Sequence, residues 1–280
     1  MARERYIKTL LMTCASLSFL AILLIFLFIL KESLPAVTRL GIPNLISANW
    51  DPSKGQYGML AFLSGTILTT LGGLLLGAPL GIGTAIFLDQ VAPSRVAGVI
   101  RRGVELLAGI PSVVIGWFGL IILVPFVARV TGSSGYGIAA ASVVLAVMVL
   151  PTITALSAET LHSLPPELKE ASLAMGATRW QTIRKVLLPA GKEGILVAVI
   201  LGMGRAIGET MAVQMVIGNS SRFVLNPFRP TGTLTTNLVT NMGEAVGDFR
   251  SALFAQALVL LILAMALIVG IRVITRKKEA

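Results

Sequence analysis

The chain has 280 residues, of which 55% are hydrophobic and only 13% charged, about half the charged fraction of soluble domains. Its net charge is +10, but the basic residues sit between long apolar runs, which points to membrane orientation and away from nucleic acid. A single cysteine, Cys14, excludes a disulfide framework or a cysteine metal centre within one chain.

About 20 apolar residues cross a bilayer as a helix, and six stretches reach that length. The first, Leu10 to Leu30, follows "MARERYIK" and ends in "LKES". It is longer than the apolar core of a signal peptide and lacks a small-residue cleavage site, so it reads as a retained helix. The second, Leu60 to Leu88, is glycine-rich and contains Pro79. The third is Val104 to Val127, with Glu105 as a boundary charge, and the fourth is Ile138 to Leu156. The fifth is Ile195 to Ile217 and the sixth Ser251 to Ile274. With the N-terminus inside, the inner segments hold fifteen Lys and Arg and the outer segments seven. That asymmetry places both termini in the cytoplasm. The outer loops "SANWDPSKGQYG" and "NSSRFVLNPFRPTGTLTTN" are turn-rich and suit either a contact surface or a plain connection.

In the third span, "GIPSVVIGWFGL" (109–120) is one candidate pathway lining. Pro111 removes a backbone donor, the glycines allow close approach, and Ser112 can donate to an oxyanion. A kink where helices cross is the alternative.

Between the fourth and fifth spans lies "HSLPPELKEASLAMGATRWQTIRKVLLPAG". His162 has no second histidine near it and reads as a boundary residue. Ser163 is placed to cap a helix with Pro165 and Pro166 in its first turn, where a missing N–H costs nothing. Gly176 is placed to end that helix, and Thr178 with Gln181 forms a capping box for a second one, closed by Pro189. The expected result is a helix–glycine–helix elbow. Ala171, Ser172 and Ala174 leave room for close approach, while Leu168, Met175, Trp180 and Ile183 offer apolar contact. Docking of a partner and lying on the lipid surface are both consistent with that composition.

"GRAIGETMAV" (204–213) places two charges inside the fifth span. A charge at the centre of a membrane helix costs roughly 2.5–3.5 kcal/mol on insertion scales, so each needs a reason. Arg205 and Glu209 are four apart, which predicts a shared helix face and a pair. Arginine's planar fork suits phosphate oxygens. The pair reads either as a packing device or as an anion point on a transport path, with Thr210 and Gln214 adding hydrogen bonds. Gly202, Gly204 and Gly208 keep the adjacent surface open.

The elbow resembles the EAA signature of bacterial ABC importer permeases: Glu-Ala-Ala, three residues, Gly, nine residues, Ile, one residue, Leu-Pro. Glu170, Ala171, Gly176, Leu188 and Pro189 match in register, with Ser172 for the second alanine and Val186 for the isoleucine. "GIPSVVIGWFGL", "LPPELKEAS" and "GRAIGETMAV" together resemble the PstC-type permease of phosphate-specific importers, and Met211 favours that type over the sister PstA type. The resemblance implies an all-α membrane protein of about six transmembrane helices, a type I ABC importer permease (MetI-like) with a cytoplasmic coupling elbow. Residues 1–59 would form the tail, first helix and outer loop, and 60–280 the core, with the coupling loop at 161–190. It also implies partners: a PstA-type permease, two ATP-binding subunits that carry ATP and Mg, a phosphate-binding protein, inorganic phosphate, and the lipid of a bacterial inner membrane. Arg205, Glu209, Thr210 and Ser112 would line the path. Glu170, Ala171, Ser172, Gly176, Trp180, Val186, Leu188 and Pro189 would couple to the ATPase.

No cofactor is expected on the chain itself. It has no G-x-x-x-x-G-K-[ST] loop, since Gly191-Lys192 is followed by Glu193, and it shows no nucleophile–base constellation. Transport of another oxyanion (molybdate or sulfate), an ion-coupled secondary transporter using Glu209, and a membrane scaffold that reports phosphate supply remain alternatives.

Overall fold

The computed structural model describes residues 2–276. The described residues are mostly helical. α1 (Ala2–Pro35) continues through a π-turn at Ala36–Leu40 into the short α2 (Ile42–Leu45). The loop before the next helix is a hairpin: β1 (Trp50–Asp51) pairs antiparallel with β2 (Gln56–Tyr57), and Gly55 supplies the left-handed turn residue at φ 68°. α3 (Leu60–Ile86) ends in a π-turn, Phe87–Val91.

The third span starts later than its hydropathy suggests. α4 (Ser94–Gly109) is a separate amphipathic helix with no fully buried residue. Ile110 and Pro111 are extended, with ψ 128° and 137°, and α5 (Ser112–Phe118) begins after them. Proline forces that break, because it lacks the N–H and disfavours helical backbone at the residue before it. A π-turn at Gly119–Leu123 joins α5 to α6 (Val124–Thr131). Glu105 therefore lies on the separate helix and not at the edge of a span.

α7 (Ile138–His162) is the most buried helix and the centre of the fold. It packs along α3 through a glycine seam. A Cβ on Gly73 would stand 2.7 Å from Leu145 Cβ, and one on Gly77 would stand 2.6 Å from Val149 Cγ2. Two cross-helix hydrogen bonds reinforce the seam, Ser142 Oγ to Thr69 O at 3.5 Å and Thr154 Oγ1 to Gly81 O at 3.2 Å. Small residues and interhelical hydrogen bonds hold helices together where lipid removes the hydrophobic drive.

The elbow follows: α8 (Pro166–Ala174), Gly176 at φ 82°, α9 (Arg179–Thr182), a π-turn at Ile183–Leu187, and α10 (Leu188–Ala190). The fifth span is α11 (Lys192–Gly208) and α12 (Met211–Ile217), interrupted at Glu209–Thr210. α13 (Leu234–Asn241) is a short helix packed on α14 and α3, and α14 (Gly247–Arg276) is the last. Among the described residues, five helices are long and apolar enough to cross a membrane. A sixth crossing qualifies only when α11 is taken with the segment before it, from which it is bent by 71°.

The loop between α12 and α13 is more ordered than its turn-rich sequence implies. Thr231, Thr233 and Leu234 are at most 3% exposed, because Leu234 N donates to Thr66 Oγ1 at 3.0 Å and Thr233 caps α13. The buried apolar residues form two groups. One joins α3, α7, α11 and α12 around Leu145, Val149, Ile153 and Val213. The other lies at the opposite end from the elbow, around Tyr57, Met59, Phe62 and Leu234.

Candidate translocation surface and coupling elbow

Arg205 stands in the last turn of α11 with its side chain exposed. Its Nη1 donates to Thr152 Oγ1 on α7 at 3.4 Å. The expected pair with Glu209 does not form. α11 ends at Gly208, Glu209 is extended (φ −69°, ψ 128°), and the helical i, i+4 relation is lost. Among the described residues, no carboxylate lies within ion-pair distance of Arg205. Glu209 Oε1 instead accepts from Ala212 N at 3.1 Å, in the first turn of α12. That is where a carboxylate is favoured, since it meets a free N–H and the positive end of the helix.

Two further polar contacts hold the break. Thr235 Oγ1 on α13 donates to Glu209 O at 3.2 Å, and Thr210 Oγ1 donates to Gly208 O at 3.3 Å. Gln214 Nε2 donates to Thr240 Oγ1 at 3.3 Å. Unpaired backbone in a membrane segment survives only where protein or an aqueous cavity satisfies it.

The two interrupted spans meet. A Cβ on Gly116 of α5 would stand 2.7 Å from Ala212 Cα of α12, so the pieces after each break touch backbone to backbone. Ser112, the first residue of α5, is half-buried beside its break. The surface near Arg205 is open: a Cβ on Gly204, Gly208 or Gly109 would meet nothing within 4 Å. Pro111, Ser112, Arg205, Glu209 and Thr210 thus belong to two discontinuities carried by touching helices. Sequence reading missed Thr152 and Thr235. Thr152 adjoins Pro151 within an apolar run, and Thr235 sits in a segment that resembles a connector; no local pattern marks either as a neighbour of the 205–210 stretch.

In the elbow, the capping box forms as expected. Gln181 N donates to Thr178 Oγ1 at 3.3 Å, and Thr178 N donates to Gln181 Oε1 at 2.9 Å. Gly176 ends α8, and Gly176 N and Ala177 N return to Leu173 O and Ser172 O at 3.0 and 3.2 Å. Ser163 does not cap α8. It closes α7, donating from Oγ to Thr160 O at 2.9 Å, and Pro165 precedes α8 with extended backbone. Pro189 does not close the second helix, which continues to Ala190 and bends there. Ser172 Oγ and Thr182 Oγ1, 2.9 Å apart, tie the two arms together. Leu168, Met175 and Trp180 are exposed, Met175 at 88% and Trp180 at 61%, but Ile183 is buried and serves the elbow's own packing. Glu170, Ala171, Gly176 and Pro189 are exposed, and Ser172, Val186 and Leu188 half-buried. His162, one residue before Ser163, has Nδ1 3.2 Å from Asp89 Oδ1 at the end of α3. That contact fastens the elbow's root to the α3–α7 seam.

Comparison with known proteins agrees with this architecture. Residues 77–278 match the family described as binding-protein-dependent transport system inner membrane component. A probable ABC transporter permease protein, YqgH of Bacillus subtilis (strain 168), is 46% identical over 243 residues, covering 85% of this chain and 79% of its own. The phosphate transport system permease protein PstC of Xylella fastidiosa (strain Temecula1) is 36% identical over 290 residues, covering 96% and 89%. Among solved structures, an inward-facing MetNI methionine ABC transporter chain is 25% identical with a TM-score of 0.59, over 79% of this chain and 94% of that one. The chain therefore belongs to the binding-protein-dependent transport system inner membrane components, as a multi-pass permease subunit of an ABC importer with a MetI-like fold.

Proposed function

We propose that the imported substrate is inorganic phosphate and that this chain forms one half of its path beside a PstA-type permease. The observation that carries the reading is Arg205: an exposed guanidinium inside an apolar helix which, among the described residues, meets the neutral Thr152 hydroxyl and no carboxylate. A cation left unpaired at such cost is suited to an anion that arrives and leaves. Relatives named phosphate transport system permease protein PstC, at 32–36% identity over most of the chain, support phosphate over other oxyanions. Ser112 and Thr210 contribute hydroxyls at the two helix breaks, and Glu209 fixes the break that presents Arg205.

Coupling runs through the elbow. Two ATP-binding subunits on the cytoplasmic side receive Glu170, Ala171, Ser172, Gly176 and Trp180, while Val186, Leu188 and Pro189 carry the motion into α11. A phosphate-binding protein docks on the opposite face, and both termini are cytoplasmic. ATP and Mg belong to the ATPase partners. The 71° bend at Gly191 makes the elbow a lever on the helix that bears Arg205.

The test is phosphate uptake into liposomes containing the full complex, with ATP inside and binding protein outside, recorded together with ATP hydrolysis. Arg205→Ala is expected to abolish uptake while assembly and hydrolysis persist. Unchanged uptake refutes the anion role, and wild-type uptake of molybdate or sulfate in preference to phosphate refutes the substrate.

A further inference from the structure

At the end of the bundle opposite the elbow, the α1 end and the start of α14 line an open cleft of about 310 Å³, apart from the 205–210 stretch. Its wall is built from four charged side chains in two crossed pairs. Arg39 Nη1 lies 3.6 Å from Asp248 Oδ1, and Arg250 Nε lies 3.5 Å from Glu32 Oε2. Both separations exceed the roughly 2.7–2.9 Å of a charge-assisted hydrogen bond, so N–H groups and carboxylate oxygens remain open to a guest. All four side chains are partly exposed, Arg39 the most at 71% and Glu32 the least at 30%.

The height of the cleft is fixed by the chain. On α1 the apolar run stops at Leu30, and Lys31 and Glu32 follow; on α14 the apolar run begins after Arg250. The four charges therefore stand where both helices leave the hydrocarbon. Directly below, Phe28 and Phe254 stack edge to face at 5.6 Å, and Arg250 lies over the Phe254 ring at 5.6 Å. Trp50, Tyr57 and Phe249 cluster at the same end, as aromatic residues do at a membrane interface. The apolar window of α1 is 0% buried by the rest of the chain.

We propose that this cleft binds the headgroup of an aminophospholipid such as phosphatidylethanolamine, with its phosphate on Arg39 and Arg250 and its ammonium on Glu32 and Asp248. Two cations alone would suit any anionic lipid. The two carboxylates beside them demand a guest that carries both signs, with N–H groups to donate. A quaternary ammonium lacks those N–H groups, and a phosphatidylglycerol headgroup lacks the positive charge. The lipid pins the exposed α1 to α14 by bridging residues of both.

The test uses the complete transporter, with its sister permease and ATPase subunits, in nanodiscs of equal parts phosphatidylethanolamine, phosphatidylcholine and phosphatidylglycerol of distinct acyl mass. Retained lipid is counted by native mass spectrometry. Wild type is expected to retain phosphatidylethanolamine about tenfold over the other two, the scale of one charge-assisted contact. Glu32→Gln with Asp248→Asn should erase the preference over phosphatidylglycerol, and Arg39→Gln should lower retention of all lipid at the site. Size-exclusion profiles check assembly, and the acidic double variant keeps Arg250 on Phe254. Equal retention of all three lipids overturns the proposal, as does phosphatidylglycerol matching phosphatidylethanolamine in wild type. Unchanged retention in the variants does so too. A sister subunit seated over α1 would leave all lipids at background, which also overturns it.

Discussion

Gly77→Ala tests the seam on which the whole surface rests. The new Cβ would stand 2.6 Å from Val149 Cγ2 and 3.0 Å from Ala146 O. Comfortable carbon contacts are about 3.5–4.0 Å, so α3 and α7 must separate by about 1 Å. Val149 is 0% exposed and has no space to retreat into. Overpacking of this kind costs about 1–3 kcal/mol, against which alanine's better helix propensity returns about 1 kcal/mol. The net loss, about 0–2 kcal/mol, corresponds to a factor of up to about 30. Gly83, on the same helix, is the internal control, since its Cβ would meet nothing within 4 Å. Gly83→Ala should be neutral or stabilising. The assay is the half-life of the monodisperse detergent-solubilised protein at a fixed temperature, because kinetic stability is the measurable quantity for such proteins. Adding Val149→Ala to Gly77→Ala should restore part of the loss, a coupling of about 0.5 kcal/mol or more. A half-life for Gly77→Ala equal to that of Gly83→Ala would refute the seam argument.

On the proposed phosphate reading, Thr152→Val, which removes the hydroxyl that Arg205 meets among the described residues, should raise the apparent KM for phosphate about threefold to tenfold, with assembly intact; an unchanged KM in the liposome assay shows that the 3.4 Å contact does not orient the guanidinium. Gly176→Ala places a Cβ at φ 82°, costing about 1 kcal/mol, and should weaken ATPase co-purification while leaving the membrane helices folded; normal co-purification would show that the elbow tolerates the strain. Burial, and secondarily the nearby Asp248 carboxylate, raise the Tyr57 phenol above the ordinary tyrosine range. The folded state thus holds this proton more tightly than the unfolded one, so its contribution is complete below about pH 10 and lost as pH rises through the higher folded value. Trp50 fluorescence, read with Trp117 and Trp180 replaced by Phe, should report alkaline opening of the hairpin, and Tyr57→Phe should abolish the change.

Much of this protein is legible in its sequence, because its strongest signals are local. Long apolar runs specify membrane helices through the desolvation of their own backbones. The elbow's boundaries follow from Gly176 and the Thr178–Gln181 box, whose partners are three residues apart. Pro111 announces its own break. Tertiary structure decided what depends on distant partners. The break at Glu209–Thr210 has no proline; it persists because Ala212 N and the Thr235 hydroxyl satisfy it, and Thr235 lies 26 residues away. For the same reason Arg205 turns to Thr152, 53 residues distant, in place of the glutamate four residues on. Helical periodicity places two charges on one face only while the helix continues, and whether it continues is settled by hydrogen bonds from other helices.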